Sequence, residues 1–322
     1  MSKSKKVLIG SGIAAGVVSA AAAVSHGVTK KLASIAMDRP VPEVSEKAAE
    51  TVTGTSEQSE FSRLRKEAAN RLLEKEHETV ELEARDGETL VGHWFFREGN
   101  QRTIVAMHGW RSSWVDDFGM ISGFWLNNGC NVLFAEQRGQ NNSGGDYIGF
   151  GLLERYDCAD WAVWVQERCD LPIYLSGVSM GASTVLMAAG KPLPPQVVGV
   201  LADCGFSSAK EIIQIVIGHM GLPPKLAYPF VKLGARLYGH FDLEETSAVE
   251  AMATCTVPVI FFHGEDDAYV PCEMSRVNYE ACAARKRLVT VPGAGHGLSY
   301  PVWPERYLQE VREFFGPELA AP

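Results

Sequence analysis

The chain has 322 residues, enough to bury one large core or two smaller ones. Its formal net charge at pH 7 is −9, but the first 31 residues hold five lysines and no acidic residue, so the remainder carries −14. Because such a domain repels phosphates, we expect no nucleic-acid partner. The seven cysteines form no C-x-x-C pair and have no histidines at zinc spacing, so we interpret several as small buried side chains and predict no metal site.

The N-terminal segment has the pattern of a membrane-targeting sequence. Lysines within the first six residues precede residues 7–28, which carry no acidic or basic side chain apart from His26. This pattern over residues 1–31 is typical of a signal anchor or a signal peptide, so we expect membrane association through residues 7–28, or export. Further lysines follow the apolar stretch, so the charges do not determine on which side of the membrane the main domain lies. The alternative is an alanine-rich tail without a targeting role.

The next two regions differ in composition. Residues 32–76 are rich in Glu, Ser, Thr and Ala, and we interpret them as a linker that ends in a short helix with the sequence EFSRLRKEAANRLLEKE. After His77, the stretches ETVELEA and ETLVGHWFF flank Asp86-Gly87, which is typical of a hairpin turn. Two antiparallel strands therefore open the main domain, which we expect over residues 77–322.

Six short apolar runs follow the hairpin, with helix-like segments between them. The runs are TIVAMHG, NVLFAEQRG, PIYLSG, VVGVLADCG, VPVIFFHG and KRLVTVPG. Each is typical of a strand that is buried on both faces. With the hairpin, the alternation predicts an eight-stranded, mostly parallel α/β sheet with helices on both faces. Active groups in such sheets gather beyond the carboxyl ends of the strands.

A long insertion separates the sixth and seventh predicted strands. Residues 204–252 give it more than 45 residues, enough for two helices broken at Gly221 and Pro223-Pro224. We expect this insertion to form a lid at the carboxyl edge of the sheet. Its apolar side chains would either face a substrate or pack the lid onto the sheet, and the candidates are Ile212, Ile213, Val216, Ile217, Met220 and Phe230.

Ser179 is the candidate nucleophile. It lies in the stretch GVSMG, between an apolar strand and the helix-like ASTVLMAAG. A G-x-S-x-G sequence at a sharp strand-to-helix turn exposes the serine hydroxyl, and the two glycines leave room for the crowded backbone. The motif also occurs by chance in glycine-rich turns, so a base and an acid are needed to support the assignment.

A candidate acid and a candidate base follow, each after its own strand. The stretch HGEDDAYVP offers Asp266 and Asp267, and GAGHG offers His296. The histidine would take the proton of Ser179, and one aspartate would orient and stabilise the imidazole. Serine, aspartate and histidine in this chain order are characteristic of α/β-hydrolases.

The sequence resembles the α/β-hydrolase superfamily over about residues 77–316. The stretches HGW, GVSMGAS, HGEDDAYVP and GAGHG carry the resemblance, to the branch of monoglyceride-lipase-like and dipeptidyl-peptidase-like serine hydrolases. It implies the α/β-hydrolase fold and makes Asp267, not Asp266, the acid of the triad. For the oxyanion hole, it implies the main-chain N–H groups of Met180 and Trp110.

A second stretch, EQRGQNNSGGDYIGFGLLERYD, resembles a loop often written R-G-x-G-x-S-x-G in related hydrolases. Gln140-Asn141 stands where His-Gly is usual, so this chain departs from the pattern. We interpret Arg138 and Asp146 as residues that fix the loop. His108 and His263 precede glycines at strand ends, and we interpret them as structural.

The sequence predicts a serine hydrolase that cleaves carboxylic esters through an acyl-enzyme and needs no cofactor. No nucleotide-binding or zinc-hydrolase motif is present. The expected partner is a small-molecule ester with an apolar acyl or aryl group. A peptidase, an amidase or an acyltransferase could use the same triad, and a membrane-tethered binding protein is the alternative from another class. The sequence does not determine the oligomeric state.

Overall fold

The computed structural model describes residues 24–40 and 57–316. Most of the predicted targeting segment, residues 7–28, lies outside these ranges, so membrane targeting stays a prediction. Within them, none of the helices combines the length and the apolar character that crossing a bilayer requires.

The described residues form eight strands and several helices. The strands are β1 (Glu78–Glu83), β2 (Thr89–Phe95), β3 (Arg102–Met107), β4 (Cys130–Ala135), β5 (Ile173–Val178), β6 (Val197–Asp203), β7 (Val259–Gly264) and β8 (Lys286–Val291). The helices are α1 (24–37), α2 (Glu57–Leu73), α3 (Trp114–Asn127), α4 (Glu154–Gln166), α5 (Met180–Ala189), α6 (Ala209–His219), α7 (Pro224–Leu237), α8 (Ala248–Thr254), α9 (Cys272–Ala281), α10 (Ser299–Val302) and α11 (Pro304–Phe315).

All eight strands join one sheet in the order β1-β2-β4-β3-β5-β6-β7-β8. β1 pairs antiparallel with β2, and β2 with β4, while every other neighbouring pair is parallel. The predicted eight-stranded, mostly parallel sheet is therefore confirmed. The hairpin prediction is also confirmed, since Asp86-Gly87 lies in the turn between β1 and β2 and Gly87 has φ of +87°.

Apolar cores lie on both faces of the sheet. The residues of β3 alternate between them: Val105 and Met107 join one core, and Ile104 and Ala106 join the other. The first core also contains residues of α4, α5, α8 and α9, and the second contains residues of α2, α3 and α11. Helices on both faces, as predicted, explain why these strands are continuously apolar.

The N-terminal helix crosses the boundary that the sequence suggested at residue 31. α1 runs without a break through 24–37, and its residues Thr29, Ala33 and Met37 are almost fully buried. A spacing of four residues places these three side chains on one helix face, which explains the packing. Residues 32–40 are therefore part of the folded domain, whereas the composition of 32–76 suggested a linker.

The insertion after β6 contains two helices, α6 and α7, as the sequence indicated. They are separated at Gly221, which has φ of +72°, and Pro224 begins α7 at a position where its missing N–H costs no helical hydrogen bond. Ser208 caps α6, because its hydroxyl accepts the N–H of Glu211. This insertion carries apolar side chains to the carboxyl end of β5.

Candidate active site

Ser179 lies at a strained turn between β5 and α5. Its φ and ψ are 55° and −118°, which few residues other than glycine adopt. The flanking glycines permit the turn: a Cβ on Gly181 would lie 1.8 Å from the carbonyl oxygen of Met107, and one on Gly177 would lie 2.2 Å from that of Gly181. The N–H of Ser179 donates to the main-chain oxygen of Asp203 at 2.8 Å, which fastens the turn to β6.

The three predicted triad residues come together at the carboxyl ends of their strands. His296 Nε2 lies 2.9 Å from Ser179 Oγ, and its Nδ1 lies 2.7 Å from Asp267 Oδ2. Both distances are those of hydrogen bonds. Since the Nδ1–H donates to the carboxylate, Nε2 is free to accept the serine proton.

The carboxylate of Asp267 is buried and saturated with donors. Its Oδ1 accepts the N–H groups of Tyr269 and Val270 at 2.9 and 2.8 Å, and its Oδ2 faces His296 and, at 3.2 Å, Nε2 of His263. Burial opposes the negative charge, but the two imidazoles outweigh it and hold the pKa of Asp267 well below its ordinary value.

Asp266, the competing carboxylate, is exposed to solvent. Its N–H donates to the carbonyl oxygen of Ala294 at 3.0 Å, so its backbone helps to shape the turn. Of the pair, Asp267 is the residue that contacts His296.

Cys204 is a neighbour of His296 that sequence reasoning did not find. Its thiol is buried at the end of β6, within hydrogen-bonding reach of the imidazole, and burial raises its pKa to about 11. Burial also disfavours a charged His296, but the Cys204 sulfur and the Asp267 carboxylate outweigh this effect and raise the pKa of His296 well above 6.5. In the sequence, Cys204 directly follows LAD at the end of a predicted strand, and this position was the available indication that it lies near the site.

The two other strand-end histidines are buried and engaged elsewhere. His108 has Nδ1 2.8 Å from the oxygen of Gly109, and its Nε2 accepts the N–H of Gln137 at 3.0 Å. Burial lowers the pKa of His108, so it stays neutral. His263 lies between Ser275 Oγ at 2.7 Å and the oxygen of Val270 at 2.8 Å, behind Asp267. Neither imidazole contacts Ser179.

Two main-chain segments border Ser179 where an oxyanion would form. Met180 is the first residue of α5, so its N–H has no acceptor within the helix, and the helix dipole favours a negative charge there. On the other side, a Cβ on Gly109 would lie 3.3 Å from the Cβ of Ser179, so the segment that continues into Trp110 closely borders the serine.

The segment 109–112 is held from several sides. The N–H of Gly109 donates to Asp117 Oδ2 at 2.6 Å, and Asp117 is also bound by the guanidinium of Arg65 from α2. Gln140 accepts the N–H of Arg111, and Asn141 donates to the oxygen of Ser112 at 2.9 Å. The Gln-Asn pair that departs from the family pattern therefore binds this segment.

Arg138 and Asp146 lie away from Ser179. Arg138 bridges the carboxylates of Asp157 and Asp86 and thereby links the loop to α4 and to the hairpin turn. The main-chain oxygen of Asp146 accepts the N–H of Arg39 at 3.0 Å, while its side chain is exposed. Both residues contact structural partners and neither contacts the triad.

An apolar pocket contains Ser179 in its lining. It holds about 890 Å³ of space, counted out to the solvent at its mouth. Apart from Ser179, His219 and the hydroxyl of Tyr269, its side chains are apolar, and they come from three regions. The loops after the strands and the first residue of α5 supply Trp110, Phe150, Met180, Phe206 and Val270, the region of the lid helices α6 and α7 supplies Ile212, Ile213, Val216, Ile217, Met220 and Val231, and α1 supplies Leu32, Ile35 and Ala36.

Two details of the pocket differ from the sequence analysis. Phe230, which we considered as a lid residue facing the substrate, is not part of the lining, and its neighbour Val231 takes that place. The sequence analysis did not identify the three residues of α1 as pocket residues. They belong to the stretch 32–76, whose composition suggested a linker, and the apolar face of the helix is only about four turns long.

One group of potential metal ligands occurs among the described residues. Ligand atoms of Cys204, Asp267 and His296 lie within 4.8 Å of one another. Two of these residues form the hydrogen-bonded chain to Ser179, and a metal ion bound by all three would have to break that chain. The arrangement as it stands therefore fits proton transfer.

Comparison with known proteins gives related chains at low identity. No model of a known protein family matches the sequence. The uncharacterised protein YqkD of Bacillus subtilis is 26% identical over 231 residues, which cover 71% of this chain and 75% of YqkD.

Solved structures match this chain over about three quarters of its length. The esterase Pf2001 of Pyrococcus furiosus gives a TM-score of 0.61 at 25% identity, over 76% of this chain and 93% of the esterase. A puromycin-hydrolysing peptidase of Mycobacterium tuberculosis gives a TM-score of 0.57 at 17% identity, over 76% of this chain and 40% of the peptidase. The likeness to the esterase, at 25% identity, supports hydrolase activity. By its eight-stranded sheet and these structural neighbours, the chain is a member of the α/β-hydrolase superfamily.

Proposed function

We propose that the protein is a serine hydrolase that cleaves carboxylic esters through an acyl-enzyme. The observation that carries this proposal is the continuous hydrogen-bonded chain from Ser179 Oγ through His296 to Asp267, which borders an apolar pocket. A serine hydroxyl is a weak nucleophile unless a base accepts its proton, and this chain supplies the base.

In the first half-reaction, Ser179 Oγ attacks the ester carbonyl carbon while His296 Nε2 takes the hydroxyl proton. The carbonyl oxygen becomes an oxyanion, which the N–H groups of Met180 and Trp110 would stabilise. As the intermediate collapses, the bond between carbon and the alkoxy oxygen breaks, and His296 returns the proton to that oxygen. The alcohol leaves, and the acyl group stays on Ser179.

In the second half-reaction, water replaces the alcohol. His296 takes a proton from the water, whose oxygen attacks the acyl carbon. Collapse of this second intermediate breaks the bond to Ser179 Oγ, which recovers the proton from His296. Asp267 keeps its negative charge throughout and stabilises the imidazolium in both steps, in accordance with its depressed pKa.

The lining of the pocket favours an apolar acyl or aryl group. The isoleucine and valine side chains of the lid offer no hydrogen bonds to a polar substrate, and the thioether of Met220 is only a weak acceptor. Burying an apolar group against them contributes about 25 cal/mol per Å² of surface removed from water. We therefore propose small to medium acyl or aryl esters as the substrate class.

Labelling with a fluorophosphonate tests the proposal directly. The full-length wild type should give one covalent adduct per chain, located on Ser179 by mass spectrometry, and His296→Ala should react far more slowly. p-Nitrophenyl esters from acetate to decanoate should then be hydrolysed by the wild type. Folded wild-type protein that neither forms the adduct nor hydrolyses any ester would contradict the proposal and favour a binding protein on a hydrolase scaffold.

Amide cleavage is the second candidate. The structural neighbour from Mycobacterium tuberculosis is a puromycin-hydrolysing peptidase, and the same triad chemistry acts on amides. Matched p-nitroanilides and p-nitrophenyl esters with one acyl group separate the two. A higher kcat/KM for the anilide than for the ester would replace the ester proposal with an amidase. If the enzyme instead transfers the acyl group, adding an alcohol acceptor would yield a new ester product.

A further inference from the structure

The helix α1 belongs to the pocket as much as the lid does. Its residues Leu32, Ile35 and Ala36 follow the helical spacing of three and four residues, and all three line the cavity that contains Ser179. The adjacent face, with Ala33 and Met37, is almost fully buried in the domain. One face of α1 thus fastens the helix while the next borders the substrate space.

The C-terminal end of α1 is bound to the loop after β4. The main-chain oxygen of Met37 accepts the N–H of Ile148 at 2.7 Å, and Asp38 forms a β-bridge with Tyr147. The guanidinium of Arg39 donates to the main-chain oxygen of Ser143 at 2.6 Å. These bonds fix the position of the helix along its axis.

A further hydrogen bond connects α1 with the proposed oxyanion segment. Nε1 of Trp110 donates to the main-chain oxygen of Ala36 at 3.1 Å. The residue whose N–H we propose as an oxyanion donor is therefore held at its indole by the same helix. Movement of α1 would change both the pocket and the orientation of Trp110.

Through Ala33 on its buried face, α1 packs closely against the lid helix α7. A Cβ added to Gly234 would lie 2.3 Å from the Cβ of Ala33, a separation that no pair of side chains tolerates. Near the start of the described helix, His26 Nδ1 lies 3.3 Å from the hydroxyl of Tyr238. Glycine at position 234 is therefore what permits the close contact between the two helices.

We propose that α1 is a specificity-determining wall of the acyl pocket, with Leu32 and Ile35 limiting the size of the acyl group that Ser179 accepts. This inference rests on the proposed ester hydrolysis and names the segment that selects the substrate. An apolar side chain in contact with the acyl chain changes selectivity because each methylene that fits or clashes alters the stabilisation of the transition state.

The first test changes the volume at Ile35 and measures a ratio. In the full-length protein, Ile35→Trp should lower the ratio of kcat/KM for p-nitrophenyl octanoate over acetate by roughly tenfold, and Ile35→Ala should raise it several-fold. Val24→Trp is the matched control, since Val24 lies on the same helix with 67% of its surface exposed. Equal ratios in all four proteins would overturn the proposal.

The second test moves the helix without changing the lining. Gly234→Ala should push α1 from α7 and change the octanoate-to-acetate ratio by roughly threefold or more. Adding Ala33→Gly removes the colliding methyl and should restore the wild-type ratio. A general loss of stability would not give this rescue, because glycine weakens helices further. Failure of the double variant to recover the ratio, in a folded protein, would count against α1 as the wall.

The two proposals fail in different ways. Loss of the fluorophosphonate adduct and of all ester hydrolysis in the wild type would contradict the proposed function. If the wild type labels on Ser179 and hydrolyses esters, but every α1 variant keeps the wild-type chain-length preference, only the proposal that α1 limits the size of the acyl group would be contradicted.

Discussion

The floor and the walls of the pocket are built by different forces. The floor contains Ser179, whose Oγ lies 2.9 Å from Nε2 of His296, and Nδ1 of His296 lies 2.7 Å from Asp267 Oδ2, so hydrogen bonds join these strand-end residues. The walls consist of α1, α6 and α7, whose pocket-facing side chains are almost all apolar. Hydrogen bonds fix angles and distances, whereas apolar contacts depend mainly on buried area and fit.

This difference separates chemistry from selectivity. Changes on the floor should alter kcat by orders of magnitude, since they remove groups that act in the transition state. Changes on the walls should alter the preference among substrates by smaller factors. The predictions below test that separation from the largest effect to the smallest.

The largest effect is expected for Ser179→Ala. Removing the nucleophile should lower kcat for p-nitrophenyl acetate by about 10⁶-fold, because no other group can form the acyl-enzyme. Circular dichroism establishes that the variant is folded. Activity above a thousandth of the wild-type value would show that another residue carries the reaction.

A somewhat smaller loss is expected for Asp267→Asn. The amide cannot stabilise the imidazolium and favours the wrong tautomer, so kcat should fall by about 10⁴-fold. Asp266→Asn is the matched control, one position away and exposed, and should stay within about threefold of the wild type. Equal losses in both variants would place the acid function elsewhere.

The pH dependence of kcat/KM should report His296. The imidazole must be neutral to take the serine proton, and its pKa is raised above 6.5, so activity should rise with pH through a midpoint above 6.5. Asp267→Asn removes the charge that favours the imidazolium, and its residual activity should show a midpoint lower by about one pH unit or more. Profiles with the same midpoint would exclude this electrostatic link.

A smaller effect is expected for Gln140→Ala. The variant loses the acceptor that binds the N–H of Arg111, which loosens the segment containing Trp110. We expect kcat to fall by about tenfold with little change in KM, less than the loss of an oxyanion donor itself. Gln309→Ala, exposed on α11, serves as the control. A change in KM alone would indicate a role in substrate binding.

The smallest effect is expected on the outer face of the lid. Leu226 of α7 has 70% of its surface exposed and does not line the pocket. Leu226→Ser should leave kcat/KM for soluble esters within about twofold of the wild type, because this side chain does not line the pocket. A marked change in chain-length preference would mean that the outer and inner faces of α7 are coupled.

The sequence predicted the floor better than the walls. Residues of the floor follow strands whose apolar runs are easy to recognise, and parallel strands bring their carboxyl ends together. The strand ends therefore bring Ser179, His296 and the pair Asp266-Asp267 to one edge of the sheet, and the resemblance implies Asp267 as the acid. The sequence did not single out Cys204, because its distance to His296 depends on the local path of the chain after β6.

The walls depend on contacts between segments far apart in sequence. The lid was expected from the length of the insertion, but which of its residues face the pocket depends on helix rotation, and Val231 lines it instead of Phe230. The role of α1 could not be predicted from residues 24–37 alone. Its packing requires Gly234, and the sequence does not indicate which segment will pack against a single glycine in α7.

The contact between α1 and α7 also has a consequence for how the molecule folds. His26 and Tyr238 meet across 212 positions of the chain, a separation at which loop closure is slow and entropically costly. The sheet can form from pairings between strands that are much closer in sequence. We therefore expect α1 to dock late in folding and to open at lower free energy than the sheet, with faster amide hydrogen exchange than β3 or β5. When α1 is undocked, Ser179 would stay in place at the sheet, but the pocket would lack the wall that α1 supplies.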